Sequence, residues 1–290
     1  MSREADFIQS LRALATHPAA RGLVDDCAVL ELGSETLILT HDMMVERTHY
    51  LAGADMADVA FKLVAVNLSD LVAKGAEPVG VLLGHMLGED DARFAEGLAE
   101  VLGAYNVPLL GGDTVSGEGA RSHGITAIGR ATHTPVPSRS GAQLGDTLHV
   151  TGTLGVAMLG FEALRDGTGA GHAAYSRPQP LLTEGKALAP HITAMMDVSD
   201  GLLLDAFRMA EASAASIAID SAAVPVADTS RRIDCLTWGD DYQLLFTLPA
   251  GTESPVPATR IGTVEPRGFA PLFLDGEALL NPEGLGYTHK

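Results

Sequence analysis

This chain of 290 residues is poor in positive charge and nearly free of thiols. Lys and Arg total 19 against 37 Asp and Glu, a formal charge of -18. That balance excludes a general nucleic-acid binder, which needs a basic footprint to neutralise phosphates. It leaves room for a small anionic ligand, provided metal cations bridge carboxylates and phosphate oxygens. Cys27 and Cys235 are the two cysteines. They form no CxxC pair and no disulfide framework, which points to a reducing compartment. No run of about 18 apolar residues occurs, so no membrane partner is expected. The segment MSREADFIQSLRALATH carries Glu4 and Asp6 and reads as an amphipathic helix, without a signal-peptide core. A soluble, cytoplasmic protein is the expectation. Familiar catalytic signatures are missing as well: there is no GxxxxGK[ST] loop, no HExxH and no GxSxG elbow.

What is present is apolar and organised. Hydrophobic residues make up 46% of a chain long enough for two domains. The central stretch is Val59–Pro78, VAFKLVAVNLSDLVAKGAEP, a helix apolar on several sides and so expected to be buried. Asn67, Asp70 and Lys74 nevertheless share one polar stripe, with Gly75 and Pro78 as stop signals. The stripe faces either solvent or a site. CAVLEL and TLILT predict strands before this helix, with VGVLLGHML, VPLL and GITAIGRAT following it. ARFAEGLAEVLGAYN has helical spacing. The Pro-, Ser- and Gly-rich run THTPVPSRSGAQLGD marks a boundary, dividing the chain into residues 1–134 and 135–290. Beyond it, strands and helices alternate again, and the expected class is mixed α/β. The run GTGAGHAA follows a helix and not a strand, so it predicts a loop and not a dinucleotide fingerprint.

Acidic residues recur beside the apolar runs: Asp26, Asp42, Asp70, Asp113, the pair Asp197 and Asp200, and the pair Asp240 and Asp241. Asp42, Asp113 and Asp197 stand at the ends of predicted strands, where α/β folds bind ligands. Turn and capping chemistry is the competing explanation for each of them. If several converge, they need a counterion, because two carboxylates about 4 Å apart repel by roughly 4 kcal/mol at an effective dielectric near 20. Oxygen donors without Cys or His spacing favour Mg²⁺, which keeps waters and shares substrate phosphates. Among the ten histidines, His49 in VERTHYL stands out on a predicted loop, although a packing role is the simpler account.

The ordered set DDCAVL, THDMMVERTHYL, AVNLSDLVAKGAEP, GGDT, SRSGAQLGD, MDVSDGLLLD and GDDYQLLFT resembles the thiamine-monophosphate kinase family. That family lies within the PurM-like (aminoimidazole-ribonucleotide-synthetase-like) ATP-binding superfamily. Each motif is weak alone, but together they run from about Asp25 to Tyr287 in the right order. The resemblance implies a two-domain PurM-like α/β fold and a homodimer paired through its N-terminal sheets. It implies ATP as co-substrate, with γ-phosphoryl transfer to thiamine monophosphate assisted by several Mg²⁺ ions. Carried over by position, Asp26, Thr40, His41, Asp42, Asp70, Asp113, Asp197 and Asp200 match the metal set. Gly112, Asp113, Arg139 and Ser199 match ATP contacts, and His49, Asp240 and Tyr287 match substrate contacts. No catalytic triad is implied, since the acceptor phosphate is itself the nucleophile.

The chain departs from the family pattern in four places. Val24 precedes Asp25–Asp26 where the family has Gly, and His41 stands where a Thr is usual. Lys74 replaces a usual Met, and Asp240 a usual Glu. Sister enzymes such as selenophosphate synthetase or aminoimidazole-ribonucleotide synthetase are the nearest alternatives. A nucleotide or metal binder without turnover is a further one. The selenium enzyme needs a reactive Cys near its N-terminus, and Cys27 sits inside an apolar run.

Overall fold

The computed structural model describes residues 3–169 and 171–289; Ala170 of the glycine-rich run lies outside the described residues. The helix α1 (Arg3–Leu11) leads to a hairpin of β1 (Ala28–Leu32) and β2 (Glu35–Val45). Then follow α2 (Met56–Ala73), β3 (Ala76–Met86), α3 (Asp91–Tyr105), β4 (Leu109–Val115) and β5 (Ser122–Ala131). The five strands form one sheet in the order β1-β2-β5-β3-β4, with only β3 and β4 parallel.

After a connection over 132–146 the chain builds a second sheet. Its elements are β6 (Thr147–Val150), α4 (Val156–Arg165), α5 (Ala173–Ser176), α6 (Leu182–Leu188), β7 (Ala194–Asp197) and α7 (Leu202–Ala212). They continue with β8 (Ser216–Ile219), α8 (Arg232–Thr237), β9 (Leu244–Leu248), β10 (Thr259–Glu265), β11 (Leu272–Leu274) and β12 (Glu277–Leu279). The order in this sheet is β12-β11-β8-β10-β6-β9-β7. Among the described residues no helix is long and apolar enough to cross a membrane.

Helix α2 lies between the two sheets. The Asp55 carboxylate caps it by accepting the Ala57 N–H at 2.9 Å, and Gly75 ends it in a left-handed conformation, φ +60°. Leu63, Leu68 and Leu71 pack with the first sheet, while Val72 and Ala73 pack with Leu188, Met195 and Phe246 of the second unit. A fully buried Leu contributes about 1.5–3 kcal/mol relative to an exposed one, so this helix anchors both cores. Protein on both sides also decides the polar stripe: Asn67 and Lys74 have no exposed surface. The stripe faces inward.

Two strands run further than the sequence predicts. β2 continues through Asp42 to Val45 because β5 is long enough to pair with it to Ser122. β4 takes in Gly111–Val115 because β3 pairs with it as far as Met86. Asp42 and Asp113 therefore lie inside strands and not beyond their ends, whereas Asp197 is the last residue of β7. The face of the first sheet turned away from α2 carries exposed apolar side chains, among them Met43 and Leu82, and β4 is exposed along its whole length, Leu109, Leu110 and Val115 included.

Candidate functional site

Strand alternation on β2 turns Thr40 and Asp42 towards α2. The Asp42 N–H donates to Asn67 Oδ1 at 2.9 Å, and Asn67 is itself held by the Leu63 carbonyl at 2.8 Å. Less than one turn further on, Asp70 accepts a hydrogen bond from the Thr40 hydroxyl. From the second sheet comes Asp197, which accepts from Ser69 Oγ on α2 at 2.5 Å. Burial pushes all three carboxyls above their ordinary range. Mutual repulsion adds to it: Asp42 and Asp197 act on Asp70, and Asp200 acts on Asp42. Among the described residues none of the three has an ion-pair partner, while the carboxylates around them do. Lys74 eases this crowding only in part, acting on Asp70 and Asp197 from a distance.

Asp26 and Asp200 stand in a different setting. Asp26 meets the Lys74 ammonium at 3.1 Å and the Arg139 guanidinium, and Asp200 meets Arg208. Next to Asp26, burial raises the Asp25 carboxyl, but Lys74 and Arg21 outweigh it and hold it at about 2. Asp205 supports the turn after β7, accepting the N–H groups of Ser199 and Asp200 at 3.1 Å each. Burial pushes its own carboxyl up to about 7.

His41 and Asp113 do not join the group. His41 points to the outward face, where Nδ1 meets Thr126 Oγ1 at 2.9 Å. Asp113 is in register with Gly84, Gly124 and Met43, a row on that same outward face. β4 lies three strands from β2, about 14 Å at ~4.8 Å per strand. Gly112 has a backbone reason of its own: a Cβ there would stand 2.0 Å from the Leu83 carbonyl oxygen. Asp205, by contrast, links two of the expected ATP contacts: it accepts the Ser199 N–H, and its charge acts on Arg139.

A second set of groups adjoins the acids. Lys62 of α2, buried, places Nζ 2.9 Å from Asp240 and 3.6 Å from the centre of the Tyr175 ring. Asp240 and Tyr242 both have left-handed backbones, φ +57° and +50°, and the Tyr242 hydroxyl donates to Asp240 at 2.9 Å. Two non-glycine residues held this way mark a costly backbone kept in place by its surroundings. Burial, then Asp240, Asp42 and Asp197, push the Tyr242 hydroxyl well above its ordinary value, so it borders both sets. His49 accepts the Val45 N–H on Nδ1 at 2.9 Å and faces His289 at 5.4 Å between ring centres. Burial lowers its pKa, His289 adds to this, and Asp240 opposes it. Tyr287 packs on His289, and its N–H donates to the Asp200 carbonyl at 2.9 Å. The structure thus brings His49, Asp240 and Tyr287 into one neighbourhood.

A cavity of about 450 Å³ opens beside Lys62, lined also by Met44, Tyr50, Asp58, His172 and Tyr175. A larger concavity, about 580 Å³ between β8 and β10, shares none of these residues. Asp241 works elsewhere than its neighbour. It accepts the Gly155 and Ala157 N–H groups at 2.8 and 3.3 Å where α4 begins, and burial pushes its carboxyl up to about 7. Sequence reasoning missed Lys62, Tyr175, Asp205 and Arg208 as site residues. The one available signal was Lys62, a cation in a helix apolar on nearly every side.

Residues 24–131 match the N-terminal domain of AIR synthase related protein, and residues 143–270 match its C-terminal domain. Thiamine-monophosphate kinase of Escherichia coli (strain K12) is 36% identical, over 79% of this chain and 76% of that protein. This chain belongs to the thiamine-monophosphate kinase family. A second family member, from Caulobacter vibrioides, is 35% identical over 94% of this chain and 86% of its own. The structure of AaThiL complexed with AMPPCP and TMP superposes with a TM-score of 0.85 at 29% identity, covering 95% of this chain and 94% of the other. The family's two-unit PurM-like α/β fold is the fold observed here.

Proposed function

We propose that this chain transfers the γ-phosphoryl group of ATP to the phosphate of thiamine monophosphate, giving thiamine diphosphate and ADP. The observation that carries the reading is the adjacency of two unlike sets of groups. One is the acid group Asp42, Asp70 and Asp197, without an ion-pair partner among the described residues; the other is the Lys62, Asp240, His49 and Tyr287 neighbourhood beside a cavity. The names of the relatives support the choice of substrate.

The donor set suits Mg²⁺. Among the described residues no three His, Cys, Asp or Glu side chains are placed to hold one ion by themselves. Mg²⁺ asks for less, one or two carboxylates completed by water and substrate phosphates. One or two of Asp42, Asp70 and Asp197 would hold it, and bound there it would neutralise charge on the phosphate oxygens. Among the described residues the buried Nε of Arg139 has no partner, a donor free for a phosphate oxygen of ATP. The turn at Ser199, fixed by Asp205, offers a second polar contact to the same ligand. The acceptor phosphate carries its own nucleophilic oxygen, so these residues act by positioning and not by proton abstraction.

The apolar outward face of the first sheet supports a homodimer, with His41, Gly112 and Asp113 near its seam. We place the division between the two units at Thr134. Chromatography of products tests the function. ATP with thiamine monophosphate should give thiamine diphosphate, and ATP with free thiamine should give no phosphorylated product, because an alcohol acceptor needs a base. Phosphorylation of free thiamine, or no turnover of the monophosphate, overturns the reading.

A further inference from the structure

Lys74 caps the C-terminal end of α2, and its side chain has no exposed surface. Its ammonium lies 2.5 Å from Asp25 Oδ1 and 3.1 Å from Asp26 Oδ2. Arg21 completes the shell around Asp25, and Arg139 that around Asp26. Two carboxylates therefore face three fixed cations, and this corner of the acidic region carries a net positive charge. By contrast, Asp70 and Asp197 accept from hydroxyl groups, and among the described residues none of Asp42, Asp70 and Asp197 has an ion-pair partner.

We propose that Lys74 is a tethered cation that takes the place of a divalent ion on Asp25 and Asp26, so that divalent ions load on Asp42, Asp70 and Asp197 alone. A divalent ion bonded to Asp26 Oδ2 at about 2.1 Å would stand no more than about 5 Å from the Lys74 ammonium. In a buried setting two such charges repel strongly. The ammonium has already satisfied the same oxygens with direct bonds, and it cannot diffuse away. Asp26 thereby becomes a structural partner of Lys74 and Arg139 and not a metal ligand. The proposal rests on reading the other three acids as a divalent-cation site, and the experiment separates the two.

Binding of Mn²⁺ alone, as a paramagnetic substitute for Mg²⁺, is counted by electron paramagnetic resonance of the free ion. Four chains are compared: the wild type, Lys74→Met, Asp26→Asn and Asp70→Asn. Methionine is a neutral, unbranched replacement of similar length. Lys74→Met should bind one more ion per chain than the wild type. Asp26→Asn should bind as many as the wild type, whereas Asp70→Asn should bind fewer. Melting curves provide a second readout: metal-free Lys74→Met should melt below the wild type and recover with Mn²⁺. Equal counts in the wild type and Lys74→Met, at zero or any other number, overturn the proposal. If Lys74→Met does not fold, Asp26→Asn still decides, because Lys74 keeps Asp25 there; loss of an ion from Asp26→Asn overturns it. Fewer ions in Asp26→Asn but not in Asp70→Asn would remove the three-acid reading as well. An extra ion in Lys74→Met above a wild-type count of zero would support the Lys74 role and remove the three-acid reading.

Discussion

The Lys62 ammonium sits between two partners, 2.9 Å from the Asp240 carboxylate and 3.6 Å from the centre of the Tyr175 ring. Burial lowers the Lys62 pKa, and Asp240 is the group that opposes this. Removing one partner of a buried pair typically costs roughly 3–5 kcal/mol. Asp240 is partly exposed, so the loss in Asp240→Ala is expected nearer to about 2 kcal/mol, a melting temperature lower by several degrees. KM for thiamine monophosphate should rise while KM for ATP stays put. A double-mutant cycle with Lys62→Met should return a coupling of about 1–3 kcal/mol. A change confined to the ATP KM would place Asp240 at the wrong ligand.

Asp70 is crowded by burial and by the charges of Asp42 and Asp197. Replacing it by Asn removes repulsion from the metal-free fold, so the melting temperature without metal should be unchanged or higher. Turnover should fall by about 100-fold or more, because charge neutralisation at the phosphates is lost. Thermal melts in chelator, paired with a coupled ADP assay, check both halves. A clearly lower melting point in chelator would make Asp70 a structural residue.

His123 stacks against His85 and Phe94 in the first core, with Nε2 buried and without a partner among the described residues. Burial, aided by His85 and Arg121, depresses its pKa to about 4. The unfolded chain takes up this proton near pH 6.5, whereas the folded chain resists it until about pH 4. Its contribution is therefore complete above pH 6.5 and lost as pH falls from there towards 4. His123→Phe should melt with a flatter profile across that window. An unchanged slope between the two proteins counts against this assignment.

The exposed apolar side chains of the first sheet predict association. Light scattering should give twice the 30.1 kDa chain mass. Leu110→Glu puts a charge on the uncovered strand β4, where Leu110 is 52% exposed, and should shift the mass to that of one chain without lowering helix content. A wild type that runs at one chain mass at micromolar concentration removes the dimer from the proposal.

Much of the framework is legible in the sequence. α2 announced itself by an apolar run closed by Gly75, and α3 by Phe94, Leu98 and Val101 at helical spacing. The limits of β2 and β4 were not legible, because Asp42 and Asp113 look like strand terminators. Only the reach of β5 and β3 as partners shows that pairing continues past them. Similar limits applied to the site. The acids were visible one by one, but a carboxylate matched to a cation, such as Asp26 or Asp200, reads the same in sequence as one without, such as Asp70. Which acids have partners depends on Lys74, Arg139 and Arg208 arriving from distant segments.

Helix α2 also works as a ruler. Lys62 and Asp70 are eight residues apart on one rigid rod, about 12 Å at ~1.5 Å per residue, and Lys74 is about 6 Å further along. The anchor beside Asp240, the acid group and the tethered ammonium thus have their spacing set by one helix and not by three loops. A single residue inserted at Ala65 would turn everything beyond it by ~100°. Lys62 would stay on its partner while Asp70 and Lys74 swung off theirs, so the two halves of the site would lose their common phase at a stroke.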